Sequence, residues 1–63
     1  MKKFFRDPYG STASLMNHRD GSATLTVCTY RGNQVFRRSY DSERGARIAM
    51  GMYSPSWKEI IRR

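Results

Sequence analysis

Sixty-three residues allow one small domain with little room for a core, and chains this short often need a staple or a partner. Cys28 is the single cysteine and His18 the single histidine, which excludes an internal disulfide and a Cys/His metal site and points to a reducing cytoplasm. Twelve basic residues against five acidic ones give a net charge of +7, so the expected partner is a polyanion or an acidic protein surface.

In chain order, residues 1–10 read as an irregular basic arm with Phe4 and Phe5 tucked under the sheet, and residues 11–63 as a single β-β-β-α domain. The apolar start at Phe4-Phe5 stops at Arg6-Asp7-Pro8, short of the 7–15 residues of a signal-peptide core. No stretch has the length of a membrane span. Residues 11–18 form a weak strand candidate. Arg19-Asp20-Gly21-Ser22 is a tight turn, because Asp-Gly readily takes the positive φ angles that hairpins require. Residues 22–31 and 34–40 alternate strongly and flank Gly32-Asn33, a second two-residue hairpin signal. The fold class is therefore α+β, a three-stranded antiparallel meander packed on one C-terminal helix.

Two-residue turns set the register. They place Met16 opposite Leu25, Leu25 opposite Tyr40, Val27 opposite Arg38 and Thr29 opposite Phe36. One face then collects Met16, Ala23, Leu25, Val27, Phe36 and Tyr40 and should meet the helix. Leu15, Thr24, Thr26, Cys28, Tyr30, Val35, Arg37 and Ser39 fall on the other. The helix begins at Asp41-Ser42-Glu43, with Ser42 or Asp41 as its cap and Glu43 at the positive end of the dipole. Ala46, Ala49, Met50 and Tyr53 form its apolar stripe, widened by Ile48 and Met52. Gly45 and Gly51 let it lie close on the sheet. Ser54-Pro55 stops it, and the capping-box spacing Ser56 to Glu59 predicts a short final helical turn carrying Trp57, Ile60 and Ile61 onto the core. No internal repeat is visible.

No catalytic constellation is present: there is no nucleotide-binding Gly loop, no nucleophile elbow and no pair of histidines. The expectation is a non-enzyme without metal or cofactor. His18 reads as a polar turn neighbour, and Asp7, Asp20, Asp41, Glu43 and Glu59 as turn and cap residues. What remains is a basic surface with interleaved aromatics. Thr24, Thr26, Tyr30, Arg31 and Arg37 are placed to meet nucleic acid from the sheet. Lys2, Lys3, Arg6, Arg19, Arg31, Arg44, Arg47, Lys58, Arg62 and Arg63 supply non-specific phosphate contacts. DNA is favoured over RNA because a three-stranded ribbon can enter a major groove. A second reading is a module docking on an acidic surface of a host or partner protein. A third is a weak homodimer through exposed Leu15, Tyr30 and Val35, against a monomer.

The strand-strand-strand-helix order over residues 12–53, with basic strands, resembles the amino-terminal DNA-binding domains of tyrosine recombinases and, more distantly, the plant ethylene-response DNA-binding fold. That resemblance implies DNA reading by Arg and aromatic residues of the sheet, here Thr26, Tyr30, Arg31 and Arg37. In those recombinases a catalytic domain comes next, and none lies within these 63 residues. Asp41-Ser-Glu-Arg-Gly-Ala-Arg-Ile-Ala-Met with the closing Ser-Trp looks like small phage and prophage proteins, which implies no activity.

Overall fold

A computed structural model describes residues 2–60. It is an α+β domain with one antiparallel sheet and one helix, but the sheet has five strands where the sequence suggested three. The strands are β1 (Lys2–Arg6), β2 (Thr12–Asn17), β3 (Ala23–Cys28), β4 (Gln34–Tyr40) and β5 (Lys58–Ile60), with α1 (Glu43–Tyr53) between the last two. Their order across the sheet is β4-β3-β2-β1-β5, each neighbouring pair antiparallel. β4 and β5 therefore run the same way on opposite edges. Two strands so oriented need a crossover, and α1 supplies it by passing over one face of the sheet.

The two extra strands correct the reading of both ends. Lys2–Arg6 is not an irregular arm: it pairs along its whole length with β2 and, from Phe4, with β5. Phe5 points to the core while Phe4 lies on the opposite face, half-buried. Residues 58–60 form a strand rather than a helical turn, since β1 offers an edge with unmet hydrogen-bonding groups and a three-residue strand fills it. Trp57 packs on the core as expected, donating from Nε1 to the Met50 carbonyl at 2.8 Å. Ile60 instead shares the face of Phe4, and Ile61 lies outside the described residues.

One loop design joins the four meander strands. Asp7–Ser11, His18–Ser22 and Thr29–Asn33 each close three residues through the same two backbone bonds, for example His18 N–H to Ser22 O at 2.9 Å and Gly21 N–H to His18 O at 3.1 Å. The third loop residue is always glycine at positive φ: Gly10 at 87°, Gly21 at 92° and Gly32 at 88°. This is the type I turn ending in a left-handed residue, where a side chain is strained. The glycines are spaced eleven residues apart, a structural repeat of strand plus loop. Acceptor side chains tighten the loops. Asp7 Oδ1 takes the N–H groups of Tyr9 and Ser11, and Asp20 Oδ1 takes the Ser22 N–H at 2.9 Å and hydroxyl at 2.6 Å. The latter pair lowers the Asp20 pKa.

Three-residue loops correct the register worked out for two. Between β2 and β3, Leu15 faces Leu25 and Met16 faces Thr24, a slip of one that exchanges the faces of β2. Leu15 is sealed in the core at 0% exposure and Met16 is 39% exposed. Leu15 is therefore absent from any outward dimer patch with Tyr30 and Val35. Between β3 and β4 the longer loop alone would also invert the face. An irregularity between Val27 and Cys28 absorbs the error, so Cys28 faces Gln34 but Val27 faces Phe36 and Leu25 faces Arg38. Phe36 and Tyr40 thereby stay with Leu25 and Val27, as the alternation required.

The core comprises Phe5, Ala13, Leu15, Ala23, Leu25 and Val27 from the sheet and Ala46 and Met50 from α1, with Phe36, Tyr40, Ala49 and Trp57 packed against it. Ser42 caps α1, accepting from Gly45 N–H at 3.2 Å. Ile48 and Met52 do not widen its apolar stripe but stand in solvent, two residues and thus roughly 200° round from Ala46 and Met50. A Cβ on Gly51 would meet open space, so this glycine does not bring the helix onto the sheet; one on Gly45 would make ordinary contact with Ser42 and Tyr40.

Glu43 locks the helix to the sheet. Its carboxylate accepts from Asn17 Nδ2 at 2.7 Å on β2 and Arg47 Nε at 2.7 Å, and pairs with Lys3 Nζ at 3.4 Å on β1. These partners, Arg47 foremost and then Asn17, hold its pKa down to about 2. A depressed carboxylate stabilises the fold above its unfolded pKa, and the contribution is lost as pH falls.

Packing and register together set the expected stabilities. Leu15→Ala should cost about 2–5 kcal/mol and Met16→Ala well under 1 kcal/mol in urea unfolding, whereas the two-residue turn would reverse that ranking. Gly21→Ala should destabilise by about 1–2 kcal/mol through its φ alone, while Gly51→Ala should stabilise by about 1 kcal/mol, both read from thermal melts. Stability of the native sequence should fall between about pH 4.5 and about 2, and Glu43→Gln should lower stability at neutral pH and flatten the acid limb, leaving the smaller slope contributed by Asp20.

Candidate functional site

Because strand side chains alternate, helix α1 covers one face of the sheet and leaves the other open. Register places three rows on the open face. They are Lys2–Met16–Thr24–Ser39, then Ile60–Phe4–Ser14–Thr26–Arg37, then Lys58–Arg6–Thr12–Cys28–Gln34. None of these residues is buried. Hydroxyl side chains fill the centre and cations stand at the sides, Arg37 on β4 against Lys2 and Arg6 on β1 and Lys58 on β5.

No carboxylate shares these rows. Of the five in the sequence, Asp7 and Asp20 are held in loops and Asp41 precedes the helix. Glu43 is on α1, and Glu59 faces the helix side with its partner Phe5. Sequestration of the acids turns a modest excess of base into a face of one sign, where the field of Lys2, Arg6, Arg37 and Lys58 is not cancelled locally. A shallow depression of about 240 Å³ lies between Lys2 and Arg37, floored by Ser14, Thr24 and Thr26 and flanked by His18. His18 Nε2 shares a 2.7 Å hydrogen bond with Thr24 Oγ1, which also lies 3.3 Å from Ser39 Oγ. Lys2 sits 5.4 Å from the Phe4 ring centroid, so this cation and this aromatic already form one unit.

The expected binding residues divide among several places. Thr24, Thr26 and Arg37 come together on the open face, joined by Lys2 once β1 is recognised as a strand. Lys3 does not join them: it faces the helix side and pairs with Glu43. Tyr30 and Arg31 are not strand residues but the tip of the β3–β4 loop, where Arg31 Nε donates to the Tyr30 hydroxyl at 3.0 Å and the guanidinium stacks at 5.5 Å. Arg19 lies in the β2–β3 loop at the opposite end of the sheet. Arg62 and Arg63 fall outside the described residues.

The sequence offers Arg6 and Lys58 only as non-specific phosphate contacts, and sequence reasoning missed Phe4, Ser14, Met16 and Gln34 as members of this surface. Lys2-Lys3-Phe4-Phe5-Arg6 has no apolar/polar alternation, because each face of β1 mixes a cation with a Phe, so the segment carries no local strand signal. The cysteine is free and half-buried. Among the described residues no cluster of three His, Cys, Asp or Glu is placed to hold a metal ion, and no helix is long and apolar enough to cross a membrane. Neither a family model, nor a curated protein, nor a solved structure matches this chain.

Proposed function

We propose that this protein binds nucleic acid through the open face of its sheet, without catalysing a reaction, and does so in a reducing cytoplasm where Cys28 stays a thiol. The observation that carries the reading is the separation of charge: four cations and a floor of hydroxyls share one uncovered face on which no Asp or Glu side chain stands. Such a face attracts phosphates over a distance set by ionic strength and offers hydrogen-bond donors to their oxygens at contact. Arg37 has the planar fork suited to paired phosphate bonds, while Lys2 and Lys58 act as point charges.

A second reading is docking on an acidic protein surface. It is supported by β4, an outer strand of seven residues that no element of the sheet pairs on its far side and that carries Arg37 and Arg38. An acidic extended segment added there would satisfy the backbone edge and the charge together.

Salt separates the two. Binding of a labelled mixed-sequence oligonucleotide should be measurable at low salt and should weaken steeply, with a log–log slope on the order of −3 for four face cations. Arg37→Ala should reduce that slope by about one. No complex at low salt would falsify the nucleic-acid reading and leave the acidic-protein one.

A further inference from the structure

We infer that the ligand of this face is a single strand rather than a duplex, with unpaired bases stacking at the loop end that carries Tyr9 and Tyr30. The inference rests on the nucleic-acid reading and adds to it the form of the polyanion. Width gives the first argument. Five strands cover four inter-strand steps of roughly 4.8 Å, about 19 Å across, and a major groove is about 12 Å wide. A two-stranded ribbon enters a groove, but here the face cations are spread from β4 to β5. Seating β3 and β4 in a groove would engage Arg37 and leave Lys58 three strands away. The geometric ground for preferring duplex DNA, a narrow three-stranded ribbon, is thus absent. A flexible single strand can lie across the sheet and meet Arg37, Lys2 and Arg6 in turn.

Exposed aromatics gather at one end of the sheet. The β1–β2 and β3–β4 loops emerge at the same end of the sheet, in contact: a Cβ on Gly10 would lie 3.1 Å from Tyr30 Cβ. Their tips hold Tyr9 at 83% and Tyr30 at 68% exposure, the former with no ring partner among the described contacts of the fold. The adjoining row of the open face brings Arg6 and Lys58 to this end, and Arg31 stacks on Tyr30. Rings beside cations are the stacking platform used by proteins that hold unpaired bases, whereas bases within a duplex keep their faces covered.

The test is fluorescence anisotropy on the full chain with three probes at equal low salt: a single-stranded DNA 20-mer, the RNA of the same sequence, and the corresponding DNA duplex. At least one single strand should bind about tenfold tighter than the duplex. Tyr30→Ala and Tyr9→Ala, both at exposed tips, should each weaken the single strand roughly tenfold and leave the duplex unchanged, with circular dichroism confirming the fold. Arg37→Ala should weaken both. Duplex binding equal to or tighter than both single strands, or tyrosine variants that bind single strands like the native chain, overturns the inference while the nucleic-acid reading stands. No binding by any probe overturns both.

Discussion

The arrangement of this protein depends on the left-handed glycine that closes each meander loop. Gly10, Gly21 and Gly32 make three-residue loops possible, and loop length sets whether the next strand presents its odd or even residues to the core. Everything downstream inherits that parity. It decides that Leu15 rather than Met16 is buried, and that Ser14, Thr24 and Thr26 share a face. At β4 parity would have gone wrong, and the irregular step between Val27 and Cys28 returns Phe36 to the core.

Charge separation arises from the same alternation together with the helix. α1 covers one face, and the acid of its first turn, Glu43, which clamps it to the sheet, lies on that side with it. The residue that begins the helix also ties it to Asn17 and Lys3, and these three positions meet only when β1, β2 and α1 are assembled. Neutralising Lys3 there and leaving Lys2 open gives adjacent lysines opposite fates. The result is a face whose cations have no counter-charge among the described residues, on a chain too small to bury them.

Aromatic residues divide in the same way. Phe36, Tyr53 and Trp57 form a run of edge and stacked contacts from β4 through the helix end to the approach of β5, with centroid separations of 6.1 and 6.2 Å. This run fastens the crossover to the sheet, and Trp57 and Ser54 both donate to the Met50 carbonyl to close the helix. Tyr9 and Tyr30 are left outside because a three-residue loop has no interior in which to place a ring.

By itself the sequence determined those features that arise from neighbours along the chain: the strands around Leu25 and Phe36, the helix behind Ser42, the turn chemistry of Asp7 and Asp20, and the excess of positive charge. Alternation, capping and turn propensity act over a few residues, so they can be read locally. Only the tertiary structure decided that residues 2–6 and 58–60 are strands, because each is too short and too charged to reveal an apolar face without the neighbour that pairs it. The same holds for the face of Leu15, for the separate destinations of Lys2 and Lys3, and for the meeting of Gly10 with Tyr30. These depend on hydrogen-bond registry between distant segments, where one residue more in a loop exchanges inside for outside.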